Sequence, residues 1–385
     1  MRRLASWLIA SIVLSFGAHA APFAFVYQPS NYIFAPVCSA NLYAIDLATE
    51  SVVQKTSLAY PRGIAAQPGY PLVVEVQPCP GLALINNSAD TFDPRTNSGN
   101  GTFFAGQGLA SAAIDPSGTR FYVSSARCVT AWDGTTRARI AEFIPGCSSN
   151  LSFDNYYALA TSPVGGRLYA ISPASSSVIV GDTITNTFIG SIPIPSLGAG
   201  TGALAVNDAG TRVLVTNPAT NTVVVIDATT NTIVATVPVG NQPSAVIAAG
   251  NRAYISNAGS GTVSVLDLST NTVIATIPVG PSPDNIDVNP ARTRVYVSNR
   301  GNNGQLSVID VASNTVVNNI VLPTTPGFSG INASHGRFIG GVSIAPVAPV
   351  VADTRQVPTL AEWAMLVLSS LLMLTGAWAI RRRLR

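Results

Sequence analysis

Charge is scarce in this chain and unevenly placed. Only 10% of its 385 residues are charged, and lysine occurs once, at Lys55. The formal net charge of +3 misleads, because Arg2, Arg3, Arg381, Arg382, Arg383 and Arg385 lie in the terminal segments. Residues 21–356 hold 15 basic against 17 acidic side chains. Such a balance leaves no electrostatic footprint for nucleic acid, so no nucleic-acid partner is expected. Histidine is rarer still: His19 falls in a segment expected to be removed, and His335 stands alone in a Ser/Gly turn. That excludes a Ser-His-Asp triad and a set of imidazole ligands for a metal or haem. C-x-x-C and C-x-x-C-H are both absent, which excludes attached c-type haem. Glycine-rich phosphate loops are absent too, since the glycines sit at turns.

What the chain has instead is a repeat. Residues 212–240 read RVLVTNPATNTVVVIDATTNTIVATVPVG, residues 252–280 read RAYISNAGSGTVSVLDLSTNTVIATIPVG, and residues 294–323 follow the same plan. Each copy alternates apolar and polar residues over short runs rich in β-branched side chains, which suit a pleated, half-buried surface. The Asp that closes the third run is a ruler. It recurs at Asp46, Asp133, Asp182, Asp227, Asp267 and Asp310, with Asn86 read as the mark of a weaker copy. Seven marks at a period of 40-odd residues predict an all-β fold, a seven-bladed β-propeller over residues 21–342. Turns such as Thr230-Asn231-Thr232 and Thr270-Asn271-Thr272 supply the left-handed residue that a tight hairpin needs. The propeller starts on FAFVYQ, which lacks a preceding first strand, and ends on residues 327–340, which resemble a first strand with nothing after it. These two pieces are expected to pair and close the ring, removing free sheet edges.

The runs YISN, YVSN and VLVTN, with VSVLD and TIPVG, resemble the YVTN family of β-propeller repeats. The clear matches cover about residues 203–323, and 109–195 and 23–87 are weaker. The resemblance implies the fold and is almost silent on function.

The two ends read as addresses. Residues 1–20 combine Arg2 and Arg3, an apolar core and Ala18-His19-Ala20, a small-x-small cleavage site; this is a signal peptide with cleavage expected after Ala20. Residues 343–357 are Pro- and Ala-rich and read as a linker. Residues 364–380 are free of charge for 17 positions, about 25 Å of helix, and an arginine cluster follows. Positive charge stays in the cytoplasm, so this transmembrane helix places the propeller outside the inner membrane, in the periplasm or at the cell surface. Just before it, Pro358, Thr359, Leu360 and Trp363 stand in a segment that resembles the IPTL-CTERM sorting signal, with Val357 for Ile and Ala364 for Gly. The resemblance covers 357–385. It implies a Gram-negative host and an exosortase-type processing enzyme as partner. A plain single-span membrane anchor fits the same residues.

Cys38, Cys79, Cys128 and Cys147 are even in number, and an exported chain allows disulfides. The repeat register puts the first three at second-to-third-strand hairpins and Cys147 in a fourth-to-first-strand connection, which share one face. The expected pairs are Cys38–Cys79 and Cys128–Cys147.

The repeated acids serve their turns, but Asp284, Asn285 and Asp287 break the pattern, since other copies carry small or apolar residues there. Three oxygen-bearing side chains within four residues can hold Ca²⁺; without it no cofactor is expected. The same face collects Arg62, Tyr156 and Tyr157 from fourth-to-first connections and Arg127 and Arg300 from second-to-third hairpins. Aromatic and arginine side chains on loops of a rigid scaffold suit a binding surface. Two functions follow. One is a non-catalytic binding or structural module of the cell envelope, with an envelope polysaccharide or protein as ligand. The other is a lactonase-like hydrolase, similar in general fold, with a metal at Asp284, Asn285 and Asp287.

Overall fold

The computed structural model describes residues 23–29, 39–46, 49–59, 61–65, 72–76, 88–93, 98–104, 111–125, 128–134, 136, 138–143, 158–173, 175–197, 202–302, 305–322 and 342–345. All belong to one compact unit, Ala21–Val347; the second unit, Met1–Ala20 with Ala348–Arg385, lies outside them.

The described residues form strands and a single 3₁₀ turn, Arg300–Asn302. The chain opens with β1 (Phe23–Pro29), β2 (Ser39–Asp46) and β3 (Ser51–Ala59). The next group is β4 (Pro61–Ala65), β5 (Leu72–Val76), β6 (Ser88–Asp93) and β7 (Ser98–Phe104). Then come β8 (Ser111–Ile114), β9 (Arg120–Ser125), β10 (Cys128–Asp133) and β11 (Arg139–Glu142). The fourth group is β12 (Leu159–Thr161), β13 (Arg167–Ser172), β14 (Ser177–Asp182) and β15 (Thr187–Pro193). The fifth is β16 (Leu204–Val206), β17 (Arg212–Asn217), β18 (Thr222–Asp227) and β19 (Thr232–Pro238). The sixth is β20 (Pro243–Ala249), β21 (Arg252–Asn257), β22 (Thr262–Asp267) and β23 (Thr272–Pro278). The last is β24 (Pro283–Val288), β25 (Arg294–Asn299), β26 (Gln305–Asp310) and β27 (Thr315–Val321), and β28 (Val342–Ala345) ends the series.

Each group is a four-stranded antiparallel meander, and β28 completes the first as β28-β1-β2-β3. The first strands touch in the order β4, β8, β12, β16, β20, β24, and β24 and β4 both touch β28. The fold is therefore all-β, repetitive and propeller-like. Val342 pairs with Val26 and Ala345 with Phe23. The strand beside β1 is thus 342–345 rather than the expected 327–340, which lies outside the described residues. It takes in Ser343, Ile344 and Ala345, which the composition had assigned to the linker. Val-Ser-Ile-Ala alternates like a strand, and Pro346, which has no N–H, stops it.

The core explains why second and third strands are apolar on both faces. Val213 and Val215 pack with Tyr169, Ile171 and Val180 of the preceding sheet, whereas Leu214 between them packs with Ala253 and Ile255 of the next. The same alternation sends Tyr254 to Val295 and Val297. Tyr296 packs with Ile45, so the last sheet also rests on the first. Each fully buried aliphatic side chain contributes roughly 1.5–3 kcal/mol.

The Ser or Thr of the second strand is a clamp. Thr216 Oγ1 accepts from Ala203 N at 2.7 Å, Ser256 Oγ from Ala245 N at 3.1 Å, and Ser298 Oγ from Asn285 N at 3.1 Å. It holds the first strand where its ladder slips, as between Pro243 and Ala245. The Asn that follows is buried and donates to the third strand, Asn257 to Ser264 at 3.0 Å and Asn299 to Ser307 at 2.8 Å. Gly240 and Gly280 make room for it, because a Cβ at either would stand 2.6 Å from the Asn Cγ.

The Asp ruler holds at Asp46, Asp133, Asp182, Asp227, Asp267 and Asp310, each of which ends a third strand. In the second sheet the mark is Asp93, at the end of β6, and not Asn86, which precedes the strand. Asp227 Oδ1 accepts from Thr229 N at 2.9 Å and Thr230 N at 3.0 Å. The following Asn231 has φ 55°, and Thr230 and Thr232 hydrogen-bond to each other beside it at 2.8 Å. Opposite Asp133, Asp182, Asp227, Asp267 and Asp310 stands an arginine not singled out in the sequence: Arg120, Arg167, Arg212, Arg252 and Arg294 open the second strands.

Candidate functional site at the loop end of the sheets

An antiparallel meander has two ends. Tight turns between first and second, and third and fourth, strands form the turn end; the remaining connections form the loop end. Asp284 and Arg300 both lie at the loop end, on the two arms of one hairpin. Pro283 pairs with Asn299, and the pairing runs on outwards through Arg300 N to Ser282 O at 3.0 Å and Gly301 N to Pro281 O at 3.1 Å. This brings Arg300 Nη2 to 2.7 Å from Asp284 Oδ2, with both side chains half-buried. The sequence had placed these two residues in rival sets, one for metal and one for ligand. The register across the β24–β25 hairpin was the signal that joins them.

The pair departs from the repeat. In the preceding hairpin Ala258 N donates to Gln242 O and Pro243 pairs with Asn257, so Ser244 matches Asp284 and Ala258 matches Arg300. Ser244 Oγ donates to Pro283 O at 2.9 Å and Ser256 Oγ to Asp284 O at 3.2 Å, which ties the backbone of Asp284 to the neighbouring sheet. In the second sheet Pro61 pairs with Val76 across a like slip of register, so Arg62 occupies the position of Asp284. It is the second residue of β4 rather than part of the connection before it; its side chain lies outside the described ones.

Each of the three oxygen-bearing residues makes a contact close by. Asp284 is turned to Arg300, Asn285 Oδ1 accepts from Ile286 N at 2.8 Å, and Asp287 Oδ1 accepts from Val288 N at 2.8 Å. A carboxylate held by a guanidinium surrenders that contact before it can bind a cation. Among the described residues no group of three or more His, Cys, Asp or Glu is arranged to hold a metal ion. Four of the repeated acids, Asp182, Asp227, Asp267 and Asp310, have carboxyls below the usual range, and the causes are local. Backbone N–H donors lead at Asp182, Asp227 and Asp310, and the Ser269 hydroxyl leads at Asp267. These are turn acids.

Arg127, Tyr156 and Tyr157 lie outside the described residues, as do Cys38, Cys79, Cys147, Pro358, Thr359, Leu360 and Trp363. Cys128 opens β10 opposite Ser125, with its side chain outside the description.

No protein-family model and no characterised protein matches the chain by sequence. Solved structures match by shape. A functionally unknown protein from Desulfotomaculum acetoxidans aligns with a TM-score of 0.63 at 14% identity, over 85% of this chain and 99% of its own. The dihydro-heme d1 dehydrogenase NirN aligns at 0.55 and 13%, over 80% and 74%. Hydrazine synthase from Kuenenia stuttgartiensis aligns at 0.53 and 18%, over 66% and 78%. Likeness at such identities speaks for the fold alone.

Proposed function

We propose that the chain is an exported seven-bladed β-propeller that serves as a non-catalytic binding module of the cell envelope, with the loop end as its binding face. The cyclic order of first-strand contacts and the packing of Ile45 on Tyr296 support the closed ring. The observation that carries the binding reading is the single register position shared by Arg62 and Asp284, where Ser244 stands in the sixth sheet. Counted along the repeat, the same position falls on Tyr157. A residue that repeats serves the repeat, and one that breaks it at a solvated rim suits contact with a ligand. Arg127, Tyr156 and Arg300 extend this face. Tyrosine supplies contact area at low entropic cost, and arginine supplies directed hydrogen bonds. The ligand is an envelope polysaccharide or protein.

The address segments complete the proposal. The signal peptide leaves after Ala20, the propeller resides outside the inner membrane, and the helix at 364–380 anchors it until an exosortase-type enzyme cuts near Trp363. Cys38–Cys79 and Cys128–Cys147 brace the loop end.

The hydrolase reading is the alternative, and its test is direct. The full chain is assayed for ester and lactone hydrolysis with and without added Ca²⁺, beside Asp284→Ala. The binding reading expects no turnover in any sample. Hydrolysis that requires Ca²⁺ and disappears in Asp284→Ala contradicts it.

A further inference from the structure

Four of the first-to-second turns share a plan in which the fourth residue donates its N–H to the carbonyl of the first. They read Asp115-Pro116-Ser117-Gly118, Ser162-Pro163-Val164-Gly165, Asn207-Asp208-Ala209-Gly210 and Asn289-Pro290-Ala291-Arg292. The plan has proline second and glycine fourth, and two turns depart from it once each. The fifth sheet has Asp208 in place of the proline, and the seventh has Arg292 in place of the glycine. The two departures meet. Arg292 Nη2 contacts Asp208 Oδ1 in an ion pair between residues 84 apart in the chain.

The fourth place needs a left-handed backbone. Gly118, Gly165 and Gly210 take φ of 69°, 81° and 67°, and Arg292 takes 56°. Glycine adopts that conformation freely, whereas a long side chain is strained there. The seventh sheet keeps the strain although a glycine would serve the turn, which points to a task for the guanidinium. The sixth sheet lies between the two and makes room for them. Ala249 pairs with Arg252, so its turn holds only Gly250 and Asn251. Asp208 reaches across this short turn with both oxygens in use, Oδ2 accepting from Gly250 N at 2.9 Å while Oδ1 takes Arg292. One carboxylate thus ties the fifth sheet to the sixth and to the seventh.

The tie falls where others are missing. From the sixth sheet to the seventh, Tyr254 Oη donates to Asn314 Oδ1 at 3.1 Å and Arg252 Nη1 to Val311 O at 2.6 Å. The residues at these places in the fifth sheet do not cross to the sixth. Leu214 has no hydroxyl, and Arg212 Nη1 turns back to Asp227 Oδ2 of its own sheet at 2.5 Å. Asn271 stands in the sixth sheet where Asn314 stands in the seventh, and its Oδ1 is buried without a hydrogen-bond partner. Apolar packing remains at this joint, with Leu214 against Ala253 and Ile255, but such packing is non-directional.

We propose that Asp208 and Arg292 form a strap that holds the fifth sheet to the sixth and seventh, and that the joint between the fifth and sixth sheets opens first when the strap is released. Both side chains are partly exposed, so ionic strength sets the hold, because salt screens exposed charges. The crossing from the sixth sheet to the seventh uses neutral acceptors, Val311 O and Asn314 Oδ1, and keeps those two sheets together. The strap lies at the turn end, away from the proposed ligand face, and stands without it.

The test uses the full chain in detergent. Amide exchange of the peptide carrying Gly250 is compared between the unsubstituted chain and Arg292→Gly, which removes the strap and relieves the strained backbone. Exchange is expected to rise about fivefold, the scale of a partly exposed ion pair. High salt should bring the unsubstituted chain towards this rate and leave Arg292→Gly little changed. Opening of the joint is read by alkylation, located by peptide mapping, of the thiol in Ala253→Cys at the fifth–sixth joint and in Ala170→Cys at the third–fourth joint, both positions being buried. Adding Arg292→Gly should speed the first about fivefold and leave the second unchanged. Unchanged or slower exchange at Gly250 in Arg292→Gly, an equal salt response in the two proteins, or equal acceleration of the two thiols would each overturn the strap.

Discussion

Arg300 grips Asp284 at 2.7 Å across the arms of one hairpin, in a place where the preceding hairpin has Ala258 and Ser244. Removing one partner leaves the other half-buried and short of its counter-charge. Arg300→Ala should therefore destabilise the protein by about 1–3 kcal/mol. The double variant Arg300→Ala/Asp284→Ser, which restores the neighbouring repeat's chemistry, should recover part of the loss. Urea denaturation of the two variants checks this; an equal or greater loss in the double variant would show that the pair is not coupled.

Gly240 is needed for space. A Cβ there meets Asn257 at 2.6 Å, whereas Gly190 has nothing within 4 Å. Gly240→Ala should cost about 1–3 kcal/mol through overpacking, and Gly190→Ala should be neutral or slightly stabilising. Melting temperatures of the two variants distinguish a packing role from a general intolerance of change.

Ring closure rests on a four-residue strand. A chain ended at Gly341 loses β28 and exposes the edge of β1, while one ended at Val347 keeps it. The shorter chain should melt markedly lower and associate at the freed edge. Similar melting of the two chains would deny β28 a structural role.

Burial pushes the Tyr296 phenol up to about 12, with the Glu50 carboxylate adding to the effect. Tyr122, Tyr169 and Tyr254 are raised for the same leading reason, burial. A raised folded value means that the native state holds the proton longer. This stabilisation is fully present below about pH 10 and is lost as pH rises through about 12. For Tyr296 it is on the order of 2 kcal/mol. Tyr296→Phe should flatten the alkaline fall in stability, followed by denaturant titration between those values. An alkaline limb unchanged in Tyr296→Phe would place the loss elsewhere.

The repeat made most of the fold legible, because each strand's role recurs and the Asp ruler marks it. The ruler failed in the second sheet, where its mark is again an Asp but falls seven residues later than the spacing suggested. GLALINNSAD looks like a third strand ending at Asn86, but the connection after β5 is long and the strand ends at Asp93. The terminal strand was missed because four alternating residues carry little signal beside a Pro-rich stretch. The arginines opposite the Asp marks were visible as a column in the aligned repeats, yet single charges draw little notice in a chain so poor in them. The Asp284–Arg300 pair needs the hairpin register, since its members are 16 residues apart and sit on different strands. Asp208 and Arg292 stand out in the aligned turns, but only the fold shows that they meet across 84 residues.

The central claim is that the loop end binds an envelope ligand, and the affinity of the full chain for isolated envelopes tests it most directly. Substitutions are placed at opposite ends of the sheets, Tyr156→Ala/Tyr157→Ala at the loop end and Ile184→Glu at the turn end. The account predicts a loss of about tenfold or more for the tyrosine variant, with its melting temperature kept, and binding close to the unsubstituted chain for Ile184→Glu. Full affinity in the tyrosine variant, or a loss confined to Ile184→Glu, would contradict it.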